Sequence, residues 1–149
     1  MQTHVVAKTA IFNDEGKVLI LRRSADDPHR PGGSDFPGGK VDDGEEFVKG
    51  AIREIHEEAG LQLRPKDLEL VYSYTKNGYN SEFKTDINFV WLGFVTKLPS
   101  GQSVALSFEH DSYEWLTLDK ALESSDGTSL TNFFEHMRKY DIATELWKR

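Results

Sequence analysis

The segment from Asp43 to Gly60 constrains the fold more than any other stretch of this chain. Val48, Ala51, Ile52, Ile55 and Ala59 recur at helical spacing and form one apolar stripe. Asp43, followed three places later by Glu46, has the pattern of a capping box, and Gly60 stands where such a helix should stop. A helix with one apolar stripe must bury it against another layer. Val5–Phe12 and Lys17–Arg22 precede it as two Val/Ile/Leu-rich segments around Asn13-Asp14-Glu15-Gly16, which predicts a hairpin. Leu68–Tyr74 and Ile87–Val95 follow as strands, with Tyr113–Leu116 a shorter one and Thr75–Thr85 a polar loop. Leu130, Phe133, Phe134 and Met137 form a second helical stripe. Strands on both sides of the first helix predict an α/β fold, a mixed sheet with helices packed on its faces.

The length of 149 residues, with no repeat, low-complexity tract or linker-like stretch, predicts one domain over residues 1–149. Lys plus Arg number 18 against 25 Asp plus Glu, a net charge of −7, which argues against capture of nucleic acid by a basic surface. An acidic chain acting on an anionic substrate needs a cation to mediate. The absence of cysteine excludes disulfides, thiolate metal sites and cysteine nucleophiles. The first residues lack the basic start and apolar run of a leader peptide, and Lys8 interrupts their apolar stretch. The longest clean apolar run, Val18–Leu21, is far below the ~20 residues of a membrane span. A cytoplasmic protein with no membrane partner is the expectation.

Glu54, Glu57 and Glu58 stand at i, i+3 and i+4, so the helix projects their carboxylates from one side. Such like charges repel by about 0.2–0.5 kcal/mol per solvated pair, and a bound cation would reverse the sign. Clustered carboxylates without imidazole or thiolate suit a hard ion, Mg²⁺ or Mn²⁺, rather than zinc. A solvated acidic helix face would account for the same three residues. The spacing around them is more specific. From Gly39 there are five residues, then Glu45, then seven, then Arg53-Glu54-Ile55-His56-Glu57-Glu58-Ala59-Gly60-Leu61. A Pro/Gly-crowded loop over residues 24–39 leads into this run.

The stretch Gly39 to Leu61 is a complete Nudix box, and the chain resembles a Nudix hydrolase. The resemblance implies a Nudix-type α/β/α sandwich with a mixed β-sheet. It implies that Glu54, Glu57 and Glu58 bind metal, with the Gly38 carbonyl a further ligand. Arg53 and Glu45 would form an ion pair orienting those carboxylates. The implied reaction is metal-dependent hydrolysis of a phosphoanhydride in a nucleoside diphosphate linked to another group, with Mg²⁺ as cofactor and Mn²⁺ able to substitute. The candidates for general base are Glu54, Glu109 and Glu114. Glu109 is favoured, as base or as an additional metal ligand, because Phe108–Trp115 resembles the acidic-then-Trp segment late in many such domains. A Nudix-fold binding module without catalysis is the rival, and such a module is expected to have lost box carboxylates that this chain retains.

Substrate contacts are expected from Arg22, Arg23 and Lys40 around the Gly/Pro loop. Period-two alternation sends Arg22 and Arg23 to opposite faces, so one of them reaches phosphate. Phe36, Tyr72, Tyr74, Tyr79, Phe83 and Phe89 are candidate stacking rings, although strand aromatics serve the core more often. Tyr79 lies 79 − 61 = 18 places beyond the box, a spacing associated in the family with dinucleoside polyphosphates. Nucleoside triphosphates and nucleotide sugars remain open beside them. His56 carries no assigned role, and His4, His29, His110 and His136 lack zinc-ligand spacing. The expected partner is a small nucleotide, and a homodimer is compatible with this reading.

Overall fold

The computed structural model describes residues 1–28, 30–125 and 129–147, so His29 lies outside the described residues. The strands are β1 (Gln2–Phe12), β2 (Val18–Arg23), β3 (Ser34–Asp35), β4 (Gly38–Lys40), β5 (Glu69–Asn80), β6 (Thr85–Lys97) and β7 (His110–Leu116). The helices are α1 (Phe47–Ala59), α2 (Leu118–Glu123), α3 (Ser129–Lys139) and α4 (Ile142–Trp147), with a 3₁₀ turn at Pro65–Asp67. The sheet runs β3-β2-β1-β6-β5, with β4 paired to β1 and β7 paired to β2. Among the described residues only β1 and β6 are parallel, in register from Gln2↔Ile87 to Phe12↔Lys97, and the other pairs are antiparallel. The sheet is therefore mixed, as expected.

Alternation along the strands distributes the core to two sides. Ile11, Leu19 and Leu21 pack with Ile55, Ala59 and Leu61, while Ala7, Leu92 and Phe94 pack with Ala51. These are the contacts of the α1 stripe. The opposite residues, Ala10, Phe12, Val18, Ile20 and Trp91, pack with Leu130, Phe133, Phe134 and Met137 of α3. Both predicted helical stripes thus close the sheet between them, which is the expected sandwich. No helix among the described residues is long and apolar enough to cross a membrane.

Two local expectations are corrected. Asp43 does not cap α1. The N-cap is Glu46, with extended backbone and no side-chain cap, and the Glu45 carboxylate instead accepts from the Asp42 amide at 3.0 Å. Residues Thr75–Thr85 are mostly strand rather than loop, because β5 runs to Asn80 and β6 begins at Thr85. This far end of the hairpin is largely exposed, so its polar composition hides the period-two signal. Gly60 ends α1 as expected, at φ 71, with its amide donating to the His56 carbonyl at 3.0 Å.

One feature of the topology prepares the site. β1 and β2 meet at Phe12 and Val18, beside their turn, but farther along β1 the neighbour is β4, from Val6↔Lys40 to Lys8↔Gly38. β2 meanwhile runs between β3 and β7. The two strands therefore diverge toward the end that carries Lys8 and Arg23, and a cleft opens there.

Candidate functional site

The cleft has a volume of about 710 Å³, within the roughly 300–1,000 Å³ expected of small-molecule sites. Glu54 and Glu58 of α1 form one wall with Gly38 and Gly39 of β4. Ala51, Ile55 and Ala59 bury the apolar stripe of α1, which turns Glu54 and Glu58 toward the β4 backbone. A Cβ on Gly39 would lie 2.8 Å from the Glu54 carboxyl carbon, so only glycine admits that carboxylate so close to the main chain. A Cβ on Gly38, at φ 149, would collide with the Ala7 carbonyl. The Gly38 amide donates to Glu58 Oε2 at 3.4 Å.

Glu58 is 6% exposed. Burial pushes its carboxyl up to about 8, against the Lys8 ammonium, while the Asp35 and Glu54 carboxylates push it further. Arg53 ties the wall together. Its Nε and Nη2 donate to Glu45 at 2.9 and 3.0 Å, Nη2 also to the Lys40 carbonyl at 3.1 Å, and Nη1 to Glu54 at 3.1 Å. The fork on Glu45 is bidentate, which fixes the loop to the helix. Hydrogen bonds from Arg53 and from the Asp42 amide hold the Glu45 carboxyl down at about 2.

Glu57 departs from the expected arrangement. Its side chain is 54% exposed and sits 3.3 Å from Arg53 Nη1, away from the cleft wall. Among the described residues no three acidic or imidazole side chains converge into a ready-made cation cage. Glu54 and Glu58 nevertheless line the cleft beside the Gly38–Gly39 backbone, Glu58 accepting from the Gly38 amide and Glu54 pressed against Gly39, so that one wall offers carboxylate and main-chain oxygens. That chemistry fits a hard divalent cation.

Cations line the same cleft as the acids. Lys40 and Arg23 both contribute, and Glu109 stands on the wall before β7. Arg22 does not. It pairs with Glu114 at 2.9 Å and donates to Ser34, so the predicted split of the two arginines leaves Arg23 on the cleft. Glu114 is thereby also turned to Arg22 rather than to the site. Phe36 requires correction as a stacking ring. It is 0% exposed and packs on Phe133 and Phe134 at 5.4 and 4.9 Å, because the strand turn before Gly38 points it into the α3-side core. Tyr79 is 68% exposed near the tip of the β5–β6 hairpin and lies outside the cleft wall. Tyr72 and Tyr74 lean on Trp91, and Phe83 and Phe89 on His4.

Phe108, Asp35, Lys8 and His110 are among the cleft residues to which the sequence reading gave no role. Phe108, 91% exposed, presents a bare ring at the mouth. Asp35 is 3% exposed and receives Lys8 and Arg23, both at 3.0 Å, with His110 Nε2 at 3.7 Å. Burial opposes ionisation of Asp35, but Lys8, His110 and Arg23 outweigh it and hold its carboxyl well below the usual range. The one available signal was Lys8, a cation inside an apolar strand.

The description "NUDIX domain" matches residues 2–137. An octanoyltransferase of Myxococcus xanthus is 30% identical over 123 residues, 83% of this chain and 32% of that protein. The asymmetrical bis(5'-nucleosyl)-tetraphosphatase of Sus scrofa is 34% identical over 88 residues, 58% of this chain and 57% of that protein. The chain thus spans about a third to somewhat over half of the length of these two relatives. The crystal structure of a MutT protein from Methanosarcina mazei Go1 superposes with a TM-score of 0.70 at 26% identity, covering 94% of this chain and 96% of that one. With the match spanning both sheet and box, the chain belongs to the NUDIX domain family.

Proposed function

We propose that this protein is a divalent-metal-dependent pyrophosphohydrolase that cleaves a phosphoanhydride bond in a nucleoside diphosphate linked to another group. The observation that supports the reading is that Glu54 and Glu58 line one cleft with the Gly38–Gly39 backbone, with Arg53 fixing Glu54 and the Lys40 carbonyl and with Lys40 and Arg23 on the same cleft; the Gly38 carbonyl would add a third oxygen. Glu57 would complete the set by releasing Arg53. When bound, a Mg²⁺ ion, or Mn²⁺ in its place, supplies charge neutralisation for the diphosphate oxygens and a more acidic water.

The chain's own residues supply the remainder. Lys40 and Arg23 bind phosphate oxygens and orient the diphosphate. Arg53 and Glu45 hold the α1 carboxylates in place. Glu109 accepts the proton of the attacking water, whose oxygen bonds to phosphorus as the bridging P–O bond breaks. The electron pair leaves with the departing phosphate. Phe108 offers a stacking face to a base or sugar at the mouth. Nucleoside triphosphates, nucleotide sugars and dinucleoside polyphosphates share the chemistry this cleft recognises. A cytoplasmic location belongs to the same reading.

The test is a product-resolved panel of these three substrate classes with Mg²⁺, run beside Glu58→Gln and Glu109→Gln. A nucleoside monophosphate released by the native protein, with turnover reduced about 10²-fold or more in the variants, supports the reading. Undiminished turnover in Glu58→Gln would remove the proposed centre.

A further inference from the structure

The Lys8 ammonium is the least expected group in the cleft. It projects from the middle of β1, on the same side as Ala10 and Phe12 of the α3-side core, and the residue is only 8% exposed. A buried ammonium is costly unless every donor is used. Here all three are. Lys8 Nζ pairs with Asp35 Oδ1 at 3.0 Å and donates to the Gly38 carbonyl at 3.1 Å and to the Phe36 carbonyl at 3.4 Å. The segment from Asp35 to Gly38 therefore wraps one cation. The segment is also tied to β1 by the Thr9 amide, which donates to the Pro37 carbonyl at 3.0 Å where the pairing of β4 with β1 begins.

Neutralising Asp35 does not require Lys8 alone, because Arg23 already lies 3.0 Å from the other carboxylate oxygen. What Lys8 adds is the pair of carbonyl contacts. The Gly38 carbonyl has two lone pairs, so one can accept from the ammonium while the other stays available. Among the described residues Lys8 is the side-chain donor to that oxygen.

We propose that Lys8 is a positioning residue for the metal centre: its ammonium orients the Gly38 carbonyl so that this oxygen and the α1 carboxylates face a common point. The inference rests on the metal-dependent reading above and extends it to a residue outside the box. Lys8 does not touch phosphate, because its donors are committed to the protein. Its loss weakens metal binding by misaligning a ligand, about 10–100-fold, as expected for a group that orients a ligand from behind.

The chain contains no cysteine, which makes a direct test available. In Lys8→Cys the single thiol is alkylated under denaturing conditions with 2-bromoethylamine, which restores an ammonium at nearly the original length. A second sample is alkylated with 1-bromopropane, a neutral group of similar size. Both are refolded, their melting temperatures recorded, and Mg²⁺ titrated by calorimetry in the absence of substrate. The aminoethyl form should match native affinity within about 3-fold, while the propyl form should bind at least about 10-fold more weakly. Native-like Mg²⁺ affinity in the propyl form would overturn the proposal. Should the propyl form not refold, Lys8→Met/Asp35→Asn removes both charges together, and native-like affinity in that variant overturns it equally. If the native protein itself takes up no Mg²⁺, the metal-dependent reading fails and this inference falls with it. Binding by the native protein with no distinction between the two alkylated forms defeats the inference alone.

Discussion

Adding one methyl group at Gly39 separates the metal centre from the fold. A Cβ there would stand 2.8 Å from the Glu54 carboxyl carbon and at 2.8 and 2.9 Å from its two oxygens. Ordinary contact begins near 3.4 Å, so the carboxylate must retreat by roughly 0.6 Å or more. Glu54 is a flexible side chain and can do so, at the expense of its present position, in which it accepts from Arg53 at 3.1 Å. Misplacement on the 1 Å scale costs on the order of 10² in rate, and a misaligned ligand about 10–100-fold in metal affinity. The backbone of Gly39 is not in the left-handed region, and Gly→Ala at such a position stabilises by about 0.4–1 kcal/mol through the unfolded chain. Gly39→Ala should therefore melt near the native temperature while its Mg²⁺ half-saturation point rises at least about 10-fold. The assay pairs thermal melting with Mg²⁺ titration by calorimetry. Gly38→Ala is the contrasting control, since its Cβ would strike the Ala7 backbone, which cannot move aside, and the protein should lose stability outright. A Gly39→Ala protein with native Mg²⁺ affinity would refute the assignment of Glu54 to the metal. A collapse in stability would refute the claim that the Gly39 contact is confined to a movable side chain.

Other consequences are as direct. The folded Glu58 carboxyl titrates near 8 against 4.5 in the unfolded chain, so the metal-free protein is favoured below 4.5 and should lose up to a few kcal/mol as pH rises through 8. Melting curves between pH 5 and 9 should show that loss in the native protein and not in Glu58→Gln, and a parallel loss in the variant would contradict it. Phe36→Ala removes a ring that is 0% exposed, at about 3–5 kcal/mol, and should lower the melting temperature by about 6–20 °C. A Phe36→Leu protein should keep the native KM, whereas a raised KM would return this residue to the substrate. Arg22→Ala severs a half-exposed pair with Glu114 and should change stability by no more than about 1 kcal/mol, with KM unmoved. Arg23→Ala should raise KM and destabilise, because Asp35 loses a buried partner; equal KM effects from the two arginines would contradict their placement.

The amino-acid sequence by itself determined α1, its buried stripe, its acidic side and its stop at Gly60, because each of these is written in local spacing. The first hairpin and the α3 stripe were legible for the same reason. Spacing also brought Glu45, Arg53 and the box glutamates into one short segment, where helix geometry and one bidentate contact suffice to join them. Spacing could not say that Glu57 would turn to Arg53 rather than to the cleft. Nor could it reveal the tip of the β5–β6 hairpin, whose exposed residues lack the alternation that burial imposes. Only the tertiary structure decided that β1 and β2 diverge, with β4 laid beside β1 where the gap begins. That divergence gathers Lys8, Arg23, Asp35 and His110 from four strands. It also leaves Arg23 on the cleft. The physical reason is that periodicity records which side of its own element a residue takes, while the neighbour it meets there depends on strand register across the whole sheet.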